Sequence, residues 1–567
     1  MTHEGYDGGS PRGGTKQASR GPVGVEVIPR PASEVDVGVG SLPTQVPPER
    51  RPPAPPSAPV PAAGGAGQTP KWIVPLGVVV IGMFMSTLDT SIVNVAIPTM
   101  QNLFGVSTDS IQWVSTAYTL CLGVVVPVSA WLGDRIGLRR LYVISMLAFS
   151  AFSALCGMAG GLNSMIFYRI LQAIPGGVIP VTCLTILYKM VPREKIGIAM
   201  GLYGFGIIVA PGVGPTLGGY LVEYVDWRLI FYINVPVGVL GAGLAMMILP
   251  NFPRVGGRSF DLPGFACIAV SMFSLLLAFE EGTTWGWMGY RVLILLAVGV
   301  NALALFVVIE LQVKEPLLNV RVFRYWPLVN SLIQISIISI SINAVLFYVP
   351  NFIQGAQSLT PMNSGLVLLP QAIVMMVIVP VAGRIYDKMG ARWPAVIGLA
   401  LAAVGTFLMV KVNVDMTRQE LVIWMMIRAA GIGLAMMPIM TGGLSVLPPS
   451  LASAGSAFNT ICQRVAGSLG LALLSAMSTV QQAQFMSDRS GLMQANGPGT
   501  NPQIVSLEQQ GQAALIPLWQ SLKNEVEAQA YSNIFLVLAA LTAAGVVLAF
   551  FLHSEKSTGD SEPVEIG

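Results

Sequence analysis

The chain has 567 residues, 53% of them hydrophobic and only 10% charged, with a formal net charge of +3. A soluble domain carries about 25% charged residues, so this composition excludes a soluble enzyme and defines a polytopic, all-α membrane protein. Five cysteines scattered through apolar stretches give neither a disulfide framework nor a zinc spacing, two histidines are too few for a histidine metal centre, and no G-x-x-x-x-G-K-[ST] loop marks an ATP-driven pump.

Residues 1–70 hold 14 of the 40 prolines, including the run Pro52-Pro53-Ala54-Pro55-Pro56, and are expected to form a disordered cytoplasmic tail. Beyond Pro70, apolar segments recur at the roughly 20-residue length that crosses a bilayer. Fourteen spans are expected, near 72–97, 111–132, 140–160, 164–188, 197–221, 227–249, 263–280, 292–312, 327–350, 363–386, 394–411, 420–446, 452–480 and 530–552. Loops after even-numbered spans carry Arg135, Arg139 and Arg140, then Lys189, Arg193 and Lys195, then Arg254 and Arg258, then Lys314, Arg321 and Arg324, then Arg384, Lys388 and Arg392. Loops after odd-numbered spans are mostly bare of Lys and Arg. By the positive-inside rule the even loops and both termini are cytoplasmic.

The first span contains one charge, Asp89, in Leu88-Asp89-Thr90-Ser91-Ile92-Val93-Asn94. A carboxylate at mid-helix costs about 2.5–3.5 kcal/mol on insertion scales. Such residues face a bundle interior or a wet cavity and carry function. The fourth span holds Arg169 and Gln172, the twelfth Arg428, and the thirteenth Asn459, Gln463 and Arg464.

An internal repeat follows the second and tenth spans. Gly133-Asp134-Arg135-Ile136-Gly137-Leu138-Arg139 is echoed by Tyr386-Asp387-Lys388-Met389-Gly390-Ala391-Arg392, with Asp134/Asp387, Gly137/Gly390 and Arg139/Arg392 all offset by 253. Two six-helix halves separated by two extra helices explain that offset, and parallel repeats of this kind place the substrate path at their interface. The expected division is a tail at 1–70, a first bundle at 71–251, two linker helices at 252–325, a second bundle at 326–553 with a polar outer loop at 481–529, and a tail at 554–567. Short amphipathic helices lying on the bundle are expected in that outer loop.

These motifs resemble the major facilitator superfamily, and within it the 14-span EmrB/QacA-type drug:proton antiporters. The loop G-x-x-x-D-R-x-G-x-R appears with Ala130 in its first glycine slot, and its repeat keeps Gly383 there. The first-span motif L-D-x-T-I-V-N-V-A-L-P is matched with Ser91 in the threonine slot. In the fifth span Gly201, Gly214, Pro215, Gly218 and Gly219 follow the antiporter motif, with Ala210 replacing one glycine. In the fourth, Ala173 departs from the final glycine of R-x-x-Q-G. Asp226-Trp227-Arg228 and Phe231-Tyr232-Ile233-Asn234-Val235-Pro236 at the sixth span are also family-like.

The resemblance implies a major facilitator fold of 14 helices (6+2+6) and proton-coupled export of hydrophobic small molecules, cations among the candidates, by alternating access across a bacterial inner membrane. It implies no organic cofactor and no nucleic-acid partner; an adaptor protein is a candidate partner. Asp89 and Arg169 lie at similar depth on helices that line the cavity of the resembled fold and are the expected proton-coupling pair. Asn94, Gln172, Arg428, Asn459, Gln463 and Arg464 are the expected cavity residues. Gly133, Asp134, Arg135, Gly137, Arg139, Asp387, Gly390 and Arg392 are the expected gate. A dedicated exporter of an endogenous metabolite or lipid, or a non-transporting sensor or scaffold, stays open at this point.

Overall fold

The computed structural model describes residues 72–252, 260–357, 361–490 and 516–552. The tails expected at 1–70 and 554–567, with Arg254 and Arg258, lie outside them. Among the described residues, fourteen helices are long and apolar enough to cross a membrane. They are α1 (Ile73–Phe104), α2 (Thr108–Ile136), α3 (Leu138–Gly157), α4 (Leu162–Met190), α5 (Ile196–Tyr224), α6 (Leu229–Ile248), α7 (Leu262–Trp285), α8 (Tyr290–Gln312), α9 (Trp326–Asn351), α10 (Pro361–Met389), α11 (Arg392–Leu408), α12 (Arg418–Ser445), α13 (Ala452–Ser490) and α14 (Ile516–Ala549).

Three boundaries differ from expectation. α1 runs through Pro98 and stops only at Gly105, whose φ of 63° lets its N–H close on the Gln101 carbonyl. Proline removes one backbone donor, a loss that membrane helices tolerate, whereas a left-handed glycine ends the helix. α13 and α14 both extend outward, so 481–490 and 516–529 continue the flanking helices and are not separate surface helices. Arg489 of α13 reaches Glu525 of α14 at 2.8 Å and Gln529 at 2.7 Å, tying the extensions together outside the apolar zone.

The second and tenth helices end alike. Gly137 (φ 94°) donates to the Gly133 carbonyl, and Gly390 (φ 76°) to the Tyr386 carbonyl. The arginine two residues on then ties the third helix of its half to the end of the sixth. Arg139 donates to Asn251 Oδ1 at 2.9 Å and to the Met246 carbonyl, while Arg392 donates to the Leu552 carbonyl at 3.1 Å. The 253-residue offset is thus a repeat in three dimensions. The linker pair α7 and α8 packs together and, through α7, against α2 of one half and α13 of the other. α8 is the least buried of the fourteen.

The apolar core is not symmetric across the membrane. On the cytoplasmic side a single cluster runs through both halves, from Leu76, Val79 and Met85 of α1 and Met200 of α5 to Val379 of α10 and Ile439 of α12. On the outer side each half has its own cluster. One is built on Ile92, Met100, Val114 and Trp227, the other on Tyr348, Phe352, Met425 and Phe535. The two halves are therefore joined toward the cytoplasm and divided toward the outside.

Candidate functional site

A polar layer separates the inner and outer apolar clusters in each half. In the first half it is centred on Asp89, which has no exposed surface. Arg169 Nη1 of α4 donates to Asp89 Oδ2 at 2.6 Å. Gln172 Nε2, one turn on, donates to Oδ1 at 2.9 Å, and Asn234 Nδ2 of α6 donates to the same oxygen at 2.9 Å. Gln172 Oε1 accepts from Arg169 Nη1 at 2.8 Å, which fixes the orientation of its amide. Asn234 also donates to Ser153 Oγ of α3 at 3.1 Å, and Ser153 donates to the Phe231 carbonyl at 2.8 Å. The Arg169 guanidinium stacks on the Tyr118 ring of α2 at 3.7 Å. Five of the six helices of this half thus meet at one carboxylate.

Arginine remains protonated in proteins, so a buried guanidinium needs the carboxylate and a carboxylate this deep needs donors. Every group that faces Asp89 is a donor. A carboxylate offers about four lone-pair places and three are taken here, so a proton on Oδ2 creates an O–H donor among donors and removes the negative charge that holds the Arg169 guanidinium. The cluster is therefore able to convert one proton into a change in how α1, α4 and α6 meet.

Sequence reasoning brought Asp89 and Arg169 together, but it assigned Gln172 to a cavity, whereas the side chain is fully buried against Asp89. It gave no role to Asn234, Ser153 or Tyr118. Asn234 stands in the family-like stretch Phe231–Pro236, but as an amide in an apolar run it carries no role of its own, a signature that Asn330 and Asn343 share. Asn94 is exposed on α1, where Ser115 Oγ of α2 donates to its Oδ1 at 3.1 Å.

The second half repeats the layer with different chemistry. Arg428 of α12 is almost fully buried and donates through Nη2 to the carbonyl and hydroxyl of Ser341 on α9, at 2.5 and 2.8 Å. α9 is the counterpart of α1, and the partner it gives Arg428 is the neutral Ser341, where α1 gives Arg169 the acid Asp89. On α13, Asn459 Nδ2 approaches Met440 Sδ at 3.4 Å, Gln463 Nε2 approaches the same sulfur at 4.0 Å, and Ser339 Oγ of α9 donates to the Gln463 carbonyl at 2.6 Å. Arg464 is partly exposed.

The fifth helix joins this layer to the cytoplasmic closure. Along its inner part, glycines replace side chains against α10. A Cβ on Gly201 would stand 2.9 Å from Pro380 Cα, and one on Gly197 or Gly383 would strike the carbonyl of the other. Asp387 caps the α5 N-terminus, accepting from Gly197 N–H at 2.8 Å and Ile198 N–H at 3.1 Å, where the helix dipole favours a negative charge. Past Gly212 the same helix turns its glycines to α1. Gly214 lies on Ser91, Gly218 on Ile92, and Ser91 Oγ donates to the Ala210 carbonyl at 3.3 Å. Gly219 meets nothing within 4 Å, and Pro215 lies between these contacts inside the helix. One helix therefore touches the latch at one end and the turn after Asp89 at the other. Asp134 is buried in the equivalent position of the first half, and Arg135 lies 5.2 Å over the Trp131 ring beside Gly133.

Asp387→Asn keeps one acceptor for the α5 amides but drops the charge, a change of about 1–2 kcal/mol. The expected result is a several-fold rise in labelling of an Ala199→Cys probe by an impermeant maleimide from the cytoplasmic side. Unchanged labelling would show that the cap does not hold the closure.

A membrane-embedded bundle of two repeated halves, joined on one side and divided on the other around a buried acid, is the architecture of a membrane transporter. The profile of the Major Facilitator Superfamily matches residues 79–471. The chain is 35% identical over 402 residues to the uncharacterized MFS-type transporter YhcA of Bacillus subtilis, covering 71% of this chain and 76% of that one. It is 30% identical over 464 residues to the tetracenomycin C resistance and export protein of Streptomyces glaucescens, covering 81% and 84%. A solved structure of the proton:xylose symporter XylE superimposes with a TM-score of 0.56 at 13% identity, over 85% of this chain and 96% of that one. The protein belongs to the Major Facilitator Superfamily, and it is a multi-pass transporter of the bacterial inner membrane.

Proposed function

We propose that the protein is a proton-coupled exporter of hydrophobic small molecules, a multidrug-type efflux antiporter. The observation that supports the coupling is the buried Asp89 carboxylate held by three donors, because its protonation removes the charge that binds Arg169. In the state described, the halves are divided toward the outside, the side from which protons enter down the gradient. Protonation loosens α1 from α4 and α6. α1 bears on α5 through Ser91 and Gly214, and α5 bears on the Asp387 latch, so the same event biases the cytoplasmic closure. Coupling requires two sites that bias one conformational equilibrium, and α5 supplies the physical connection. The outward direction is supported by the glycine–proline pattern of α5 and by the export function named for the Streptomyces relative.

The test uses everted membrane vesicles with an imposed pH gradient and a fluorescent hydrophobic substrate. Wild type is expected to accumulate substrate, and Asp89→Asn to lose gradient-driven accumulation to background while retaining substrate exchange without a gradient. Gradient-driven accumulation by Asp89→Asn at the wild-type rate would sink the coupling role.

A further inference from the structure

The polar layer of the two halves is electrically unbalanced. Between the inner and outer apolar clusters, the described bundle helices hold one carboxylate, Asp89, and three guanidiniums, Arg169, Arg428 and Arg464. Asp89 is committed to Arg169, so the two positive charges on the second half have no paired carboxylate among the described residues. Arg428 is 3% exposed, bonds only the neutral Ser341, and leaves its Nε without a partner. Arg464 makes neither hydrogen bond nor ion pair with any described residue, and its Nε is likewise buried without a partner. The helices that carry the two arginines meet the same stretch of α9. Arg428 bonds Ser341, and the backbone of Gln463, next to Arg464, accepts from Ser339. Two positions along a helix are about 3 Å of rise, so α12 and α13 meet α9 at nearly one depth beside the two arginines.

Arg464 also looks across to the first half. It lies within electrostatic range of Tyr118, which is also near Asp89 and carries the stacked Arg169. A cationic solute entering between the halves would meet two uncompensated positive charges with Asp89 already taken. An acidic solute would meet the partly exposed guanidinium of Arg464, which lacks an acceptor, with the buried charge of Arg428 behind it. Leaving a guanidinium deep in the bundle without an acceptor is costly, and a carboxylate satisfies its donor fork with two parallel bonds.

We propose that the second half carries the recognition pole of the substrate site, in which Arg464, backed by the field of Arg428, binds the carboxylate of an amphiphilic organic anion. The transported class is then apolar molecules bearing an acidic group, not lipophilic cations. The inference rests on the export reading for its physiological meaning, but binding is measured without a gradient and stands apart from it. Serine at 341 fits this assignment. A second acid there would neutralise Arg428, as Asp89 neutralises Arg169, and remove the excess charge on which anion recognition depends.

The probes are two xanthene dyes of similar shape and opposite charge, fluorescein and rhodamine 123, titrated against the full-length protein in lipid nanodiscs. Wild type is expected to bind fluorescein at least about tenfold more tightly than rhodamine 123, the scale of one charge-assisted hydrogen bond. Arg464→Gln is expected to lose at least about tenfold in fluorescein affinity, and Arg464→Lys, which keeps the charge, to recover most of it. An unaltered thermal melt of the lysine variant guards against misfolding as the cause. Tighter or equal binding of the cation, binding of neither dye, or full fluorescein affinity in Arg464→Gln overturns the proposal. If anion selectivity holds while Asp89→Asn vesicles remain coupled, the proton-coupling reading fails and this one survives.

Discussion

Arg169→Ala is expected to destabilise the first half by about 3–5 kcal/mol, the cost of stranding one partner of a buried ion pair. The carboxylate left behind keeps only the amides of Gln172 and Asn234, and both share Oδ1. Oδ2 loses its sole donor. Tyr118 loses the guanidinium stacked on it at 3.7 Å, and the Val114 carbonyl loses its bond from Nε at 3.5 Å. Asp89→Asn removes charge without removing volume, but it leaves Arg169 as the stranded ion. The combination Asp89→Asn with Arg169→Gln removes both charges and retains polar groups. A thermal melt in detergent should therefore rank Arg169→Ala lowest and place the double variant above it. Gradient-driven transport should be absent from all three. If the double variant melts below Arg169→Ala, the pair is not the source of the destabilisation. If it transports with the gradient, the pair is structural and the proton is taken elsewhere.

Much of this cluster was legible in the sequence. A single Asp in an apolar run and a single Arg in another, at matching depth, are conspicuous because each is costly alone. The spans were legible for the same reason, since the bilayer demands about 20 apolar residues each time. The parts that could not be read are neutral. Asn234 costs little more in a membrane helix than Asn94, and only the packing of α6 against α1 and α3 aims it at Asp89. Ser341 carries no signal as the partner of Arg428, since several serines share its apolar span. α1 outruns its expected end because the left-handed Gly105, and not Pro98, stops the helix. The outward extensions of α13 and α14 are polar helix joined by Arg489 and Glu525, and hydrophobicity has nothing to say about them.

The second large effect is expected at the cytoplasmic closure. Gly383→Val places a branched side chain against the Gly197 carbonyl, a contact with backbone that no rotamer avoids. α5 and α10 must separate there, and the carboxylate of Asp387, four residues on along α10, moves with its helix away from the Gly197 and Ile198 amides. Two hydrogen bonds to a charged group, each worth about 1.5–3 kcal/mol, favour the closed cytoplasmic side and are lost in the variant. A bias of about 3 kcal/mol or more shifts a two-state population by roughly a hundredfold. The folded halves themselves are untouched, since the contact is between them. Gly383→Val is therefore expected to keep its thermal melt within a few degrees. It should label an Ala199→Cys probe from the cytoplasmic side at a rate at least about tenfold above the Gly383 background, given that shift, and it should lose gradient-driven transport. Ala199 is fully buried in the closed state, so its reactivity reports the opening directly. Wild-type labelling with wild-type transport would mean that α5 and α10 do not form the closure, and that the α5 glycines serve packing alone.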